Sequence, residues 1–229
     1  MEQMSEDAVA YYARRAVEYE PIYAKPERQA NLVEMRDRLR DTFANRHVLE
    51  FACGTGFWTE SISERARSVL ATDINEEMLQ IARAKDWQGR PVTFGIAEAF
   101  DPESIPGRFD AAFVGFLWSH IELEDMTTFL SRLNRRLPSG ALVVFIDNRF
   151  VAGSSTPISR TDEAGNTYQM RTLADGSRHE ILKNFPEESE LLAVTRKLSP
   201  PVADASVEAV KHFWMLSYYT PGGEQVTRR

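Results

Sequence analysis

Residues 47–59 read HVLEFACGTGFWT, and this stretch decides the fold. Residues 47–51 are a short apolar run with β-branched and aromatic character, bounded by Asn45 and Arg46 before it and small residues after it. That is the pattern of a buried parallel strand. Ala52, Cys53, Gly54, Thr55 and Gly56 follow with almost no side chain, which predicts a tight turn. Residues 58–66 carry apolar Trp58, Ile62 and Ala66 at helical spacing. Strand, bare turn and helix make a cradle where backbone approaches a ligand closely, and Glu50 sets a carboxylate beside it. A ligand-free connection reads the same way, so the next strand has to decide.

That strand, residues 68–72, ends in Asp73. An acidic residue closing the second strand, roughly 20 residues beyond a glycine turn, is placed to accept from both hydroxyls of a ribose. Glu50 and Asp73 then flank one turn at adjacent strand ends, and a nucleoside ligand follows. The turn lacks the G-x-G-x-x-G spacing of a pyrophosphate site. Phe57 and Trp58 stand where phosphate wants small residues, and no Lys or Arg lies between His47 and Arg65. The spacing Glu50-x-Ala52-x-Gly54-x-Gly56 resembles motif I of the class I S-adenosylmethionine-dependent methyltransferases, with Ala52 in the place of the first glycine. Cys53 reads as a small turn residue, with no base nearby to make it a nucleophile.

The chain has 229 residues, a net charge of −7 and one cysteine. The acidic balance argues against a nucleic-acid footprint, which needs a basic stripe. One cysteine fits a reducing compartment. No run approaches ~18 consecutive apolar residues. The expectation is a cytoplasmic protein with a small-molecule acceptor, no nucleic-acid or membrane partner and no metal.

The remaining segments read as an α/β chain. Residues 5–45 predict two helices, the first capped by Ser5 and interrupted by Pro21, the second over 27–42. The first carries Tyr11, Tyr12, Tyr19 and Tyr23 beside Arg14 and Arg15. These are either the rim of an amphipathic helix or, as the resemblance implies, a lid over the cofactor. Helices follow over 76–85, 122–137 (with Leu123, Met126, Phe129, Leu130 and Leu133 inward) and 186–197. Strands are expected at 91–96, 109–116, 141–146, 205–210 and 213–219, and 147–165 reads as a loop. Segments 167–172 and 178–182, joined through Asp175-Gly176, predict a β-hairpin. The expected organisation is one domain: a helical lid (1–45), a cofactor core (46–147), a loop-and-hairpin insertion (148–185) and a C-terminal helix with strands (186–229). Seven core strands fit a Rossmann-like doubly wound sheet of the class I methyltransferase type.

The resemblance implies S-adenosylmethionine as cofactor, held by Glu50, Ala52, Gly54, Gly56, Trp58, Asp73, Ile74, Glu98, Ala99 and Phe116, with Tyr11 and Arg14 from the lid. Glu98 would meet the adenine amino group between the apolar faces of Ile74 and Ala99. The (D/N/S)-P-P-(Y/F) tip of nucleic-acid amino-methyltransferases is absent after residue 115. His120 is the titratable side chain at that tip, a catalytic candidate or a helix-entry residue bonding to backbone. The stretch QMRTLADGSRHEILKNF resembles the hairpin of phosphonate O-methyltransferases of the dehydrophos type. That resemblance implies an acceptor site made of Arg171, Lys183, His120 and Tyr19 or Tyr23. Ordinary solvated hairpin charges are the other reading of Arg171 and Lys183. O-methylation of a small anion is the leading function. N-methylation of an amine in an aromatic site of Phe116, Trp118 and the tyrosines, and a non-catalytic cofactor-binding protein, stand as alternatives.

Overall fold

The computed structural model describes residues 6–222, so the Ser5 cap lies outside the described residues. In chain order the strands are β1 (His47–Phe51), β2 (Ser68–Asp73), β3 (Val92–Ile96), β4 (Ala111–Gly115), β5 (Leu142–Asn148), β6 (Arg160–Thr161), β7 (Thr167–Thr172), β8 (Arg178–Leu182), β9 (Ser206–Ala209) and β10 (Phe213–Tyr219). The helices are α1 (Glu6–Arg15), α2 (Gln29–Thr42), α3 (Phe57–Ser63), α4 (Glu76–Ala84), α5 (Met126–Arg136) and α6 (Glu188–Arg196). Three short 3₁₀ turns, Ala16–Glu18, Glu20–Ala24 and Pro26–Arg28, link α1 to α2.

Seven strands form the main sheet in the order β3-β2-β1-β4-β5-β10-β9. The first five are parallel and β10 runs antiparallel to both neighbours. β4 and β5 are buried on both faces through residue 147, as a central parallel strand must be. α2, α3 and α4 cover one face, where Leu32, Met35, Leu39, Ile62 and Leu79 pack on Val48, Val69 and Val144. α5 and α6 cover the other, with Phe129, Leu130, Leu133 and Leu191 against Val143 and Phe145.

The chain winds outward from β1 to β3, then returns to place β4 on the other side of β1. The order therefore reverses between β1 and β4, which is where an open α/β sheet leaves its ligand crevice. Both strand ends at this point carry a non-glycine residue with left-handed backbone, Ala52 (φ 51°) and Phe116 (φ 59°).

Two expectations need correction. α5 begins at Met126, not at residue 122, because Leu123 gives its N–H to Asn166 Oδ1 of the insertion and stays 45% exposed. The segment 147–165 is not all loop: β5 runs on to Asn148, and β6 joins β7 and β8 in a separate three-stranded sheet.

Candidate active site

One cleft opens over the carboxyl ends of β1, β2 and β4. At its first end, Ala52 and Gly54 form the floor, with Asp73, Ile74, Asn75 and Met78 on one side and Ala97, Glu98, Ala99 and Phe100 on another. The Asp73 carboxylate shapes this end by accepting from the N–H groups of Gly54 (2.8 Å) and Asn75 (2.9 Å). Burial raises its pKa, while those backbone donors pull it down. Gly54 is left-handed (φ 57°), and a Cβ there would project to 3.8 Å from the Tyr19 ring, across the space a ligand needs. Beneath the turn, Glu50 is 1% exposed and one of its carboxylate oxygens has no hydrogen-bond partner. Burial first, and then the Asp73 charge, push its carboxyl up to about 8. Glu50, expected beside the cofactor, is therefore buried beneath the turn and is not among the residues that line the cleft.

Ile74, Glu98, Ala99 and Phe116 line the cleft together with Ala52, Gly54 and Asp73. Gly56 and Trp58, expected beside the cofactor, do not. A Cβ at Gly56 would lie 3.1 Å from the Trp87 ring, so this glycine admits a neighbouring side chain instead of a ligand. Trp58 is 3% exposed behind Phe116, its ring stacked on the phenyl at 5.6 Å.

From the N-terminal segment, Tyr12, Arg15 and Tyr19 reach the cleft where Tyr11 and Arg14 were expected. Tyr11 turns the other way and is buried with Leu173 and Ile181 against the hairpin. Arg14 is exposed near Asp175. Tyr23 stacks face to face on Phe57 at 3.7 Å and is not part of the lining. Tyr19 is thus the one of the two acceptor-side tyrosines that faces the cleft.

At the second end the side chains are basic. Lys183 is 4% exposed and donates to Asp147 Oδ1 (3.1 Å) and to the Ser119 hydroxyl. Asp147 also accepts from Ser119 N–H (2.9 Å) and Oγ–H (2.7 Å), tying the end of β5 to the tip after β4. Burial pushes the Asp147 carboxyl up, but the Lys183 charge and the two Ser119 donors outweigh it and hold the carboxyl below its ordinary range. Arg171 lines the cleft beside Lys183 and donates to Gln169 Oε1. Its buried Nε–H has no partner, and among the described residues no carboxylate pairs with it. His120 Nε2 lies 2.9 Å from the Tyr12 hydroxyl. Burial, then the positive charges of Lys183 and Arg171, keep its pKa low and the ring neutral.

Lys25, Arg28, Asn148, Ser154, Ser155, Thr156, Gln169 and Phe185 also line this end and carry no motif in the sequence. Pro26 and the charge cluster around it were the available signal, but a 3₁₀ segment offers no periodicity to say which way each side chain points. Among the described residues no cluster of His, Cys, Asp and Glu could hold a metal, and no helix is long and apolar enough to cross a membrane.

A family model described as a methyltransferase domain matches residues 48–140. An uncharacterized methyltransferase of Bacillus cytotoxicus is 25% identical over 170 residues, covering 74% of each chain. The DhpI complex with SAH superposes with a TM-score of 0.74 at 26% identity, over 97% of this chain and 98% of that one. The DhpI complex with SAM and HEP does so with 0.75 at 25%, over 93% and 96%. The chain thus carries a methyltransferase domain over residues 48–140, has the fold of the class I S-adenosylmethionine-dependent methyltransferases, and resembles DhpI over nearly its whole length.

Proposed function

We propose that the enzyme methylates an oxygen of a small anionic metabolite. The observation that carries this reading is Arg171: a guanidinium in the cleft, with a buried unpartnered Nε–H and no carboxylate beside it, next to the buried ammonium of Lys183. Buried cations are ordinarily paired, so a site that leaves one unpaired asks for an anion from outside. The likeness to DhpI, solved with SAM and HEP, is compatible with it.

S-adenosylmethionine supplies an electrophilic methyl group and a neutral thioether leaving group. Among the residues that line the cleft, Asp73 would accept from its ribose, Ile74, Met78, Ala99 and Phe100 would border its base with Glu98 at the edge, and Ala52, Gly54, Arg15 and Tyr19 would border the rest. Arg171 and Lys183 hold the acceptor's acidic group in line. An acceptor oxygen that is already an anion gives its lone pair to the methyl carbon as the carbon–sulfur electrons return to sulfur. No proton moves, and His120, kept neutral, serves as a hydrogen-bonding wall rather than a base. The amine reading loses ground because Trp118, one wall of its aromatic site, is 2% exposed and packed between Phe145 and Trp214. The acceptor is read as free in the cytoplasm, with neither nucleic acid nor membrane as partner.

The test is methyl-labelled turnover across a panel of small phosphonates, carboxylates and amines. Acids are the expected substrates, and faster turnover of the amines would overturn the reading. Arg171→Met is expected to raise the acceptor KM roughly 10- to 100-fold through loss of a charge-assisted bond, with S-adenosylhomocysteine affinity by calorimetry unchanged.

A further inference from the structure

We propose that the acceptor carries two acidic groups, and that Lys25 and Arg28 hold the second. The inference rests on the anionic-acceptor reading and narrows it to a class of substrate. Lys25 and Arg28 stand on the N-terminal segment and line the same cleft as Arg171 and Lys183. Lys25 Nζ donates to Ser154 O at 2.6 Å. Arg28 reaches the same carbonyl at 3.2 Å, Ser154 Oγ at 3.0 Å and Asn148 Oδ1 at 3.2 Å. Asn148 N–H donates to Asp147 Oδ1 at 2.7 Å, and Asp147 holds Lys183. On the other side Gln169 donates to Thr156 O and accepts from Arg171. Hydrogen bonds thus run from Lys183 through Asp147 and Asn148 to Arg28 and Ser154. They resume from Thr156 through Gln169 to Arg171. The circuit borders one end of the cleft and carries four cations, two from the N-terminal segment and two from β7 and the residue after β8.

The charges on this circuit do not balance. Asp147 is engaged by Lys183, and Glu27, which accepts from Ser154 Oγ at 2.7 Å, is exposed at the mouth. Neither Lys25 nor Arg28 has a carboxylate within ion-pair distance among the described residues. Their partners are a carbonyl, a hydroxyl and an amide oxygen, which satisfy donors without neutralising charge. Burial, and then repulsion from Arg28, lower the Lys25 pKa; burial is likewise the first cause at Arg28, Arg171 adds to it at both, and the exposed Glu27 carboxylate opposes the shift at both without reversing it. Pinning the loop that carries Ser154 needs only neutral donors, so that role leaves the pair of charges unexplained. One monoanion at Arg171 and Lys183 compensates one side of the circuit. A second acidic group compensates the charge of Lys25 and Arg28. Methyl transfer falls on an oxygen of the group beside His120, and the second group sets specificity.

The experiment compares matched acceptors with one and two acidic groups: methylphosphonate against phosphonoacetate, and propionate against succinate. Turnover is measured with the wild-type enzyme and with Lys25→Met and Arg28→Met. The expected result is a kcat/KM at least ~10-fold higher for the two-acid member of a pair, falling toward parity in either variant. The ratio within each pair is indifferent to how much of a variant is folded. Equal turnover of both members by the wild type overturns the inference, as does a wild-type ratio that survives both substitutions. Arg171-dependent turnover of the one-acid compounds without a two-acid advantage would leave the anionic-acceptor reading standing and remove only this one. No turnover of any acid would remove both.

Discussion

At the scale of single residues, two positions carry a strain or charge that the fold alone does not require. Ala52 holds φ 51° at the place where the motif ordinarily has glycine. Left-handed backbone costs an L-residue about 1–2 kcal/mol, and glycine's greater freedom in the unfolded chain gives back about 0.5–1 kcal/mol of the gain from replacing it. Ala52→Gly is therefore expected to stabilise the protein by about 0.5–1 kcal/mol, read as a higher midpoint in urea denaturation at unchanged slope. Glu50 carries the opposite kind of tension. Its folded pKa of about 8 lies above the unfolded carboxylate value, so the folded state binds the extra proton between the two. Stability from this group is complete below about pH 4.5 and is lost as the pH rises toward 8. Glu50→Gln should flatten that decline in the ligand-free enzyme and raise its Tm at pH 8; a decline as steep as in the wild type would count against the protonated carboxyl.

At the scale of elements, α1 is held between two different surfaces. Tyr11 seals a small cluster with Leu173 and Ile181, Tyr12 and Arg15 face the cleft, and Glu18 accepts the Ala174 N–H at the hairpin turn. Farther along, Glu20 pairs with Lys85 at 2.7 Å and accepts from Thr55 at 3.0 Å, fixing the segment over the glycine turn. Tyr11→Ala should release α1 without melting the sheet core, since its apolar partners belong to a separate cluster. Limited proteolysis would then cut within residues 6–18 while the global Tm changes little. This double docking also explains what could be read from the chain. β1, β2 and the β7–β8 hairpin were legible to the residue because short apolar runs bounded by turn residues mark the first two and an Asp-Gly turn marks the hairpin. That Gly54, Asp73, Ile74, Glu98 and Ala99 line one cleft was legible because these residues leave strand ends in regular order. The lid was legible as a helix but not in its rotation: with aromatic residues on both faces, a shift of one position separates Tyr11 from Tyr12. The basic wall from Lys25, Arg28 and Ser154 was not legible at all. It forms between segments about 126 residues apart in sequence, neither with a repeating pattern.

At the scale of the whole molecule, Asp147 is the point where sheet, tip and hairpin meet. It closes β5, accepts both donors of Ser119 and holds Lys183 from the residue following β8. Removing one member of a buried ion pair leaves the other uncompensated, so Asp147→Ala is expected to destabilise the enzyme by about 3–5 kcal/mol. Adding Lys183→Met should recover part of that loss, measured by urea denaturation as a double-mutant cycle; strict additivity would mean that the pair is not coupled. The bond between Tyr12 and His120 spans the same distance across the fold, from the first helix to the tip after β4. Its consequence concerns nitrogen rather than geometry. If the tyrosine hydroxyl donates to Nε2 the imidazole proton sits on Nδ1, and if it accepts the proton sits on Nε2, so the tautomer is tied to a helix more than a hundred residues upstream. Were that helix to lift, water would reach the ring, both tautomers would become available and its basicity would return, so the state of one imidazole is tied to whether the chamber is sealed.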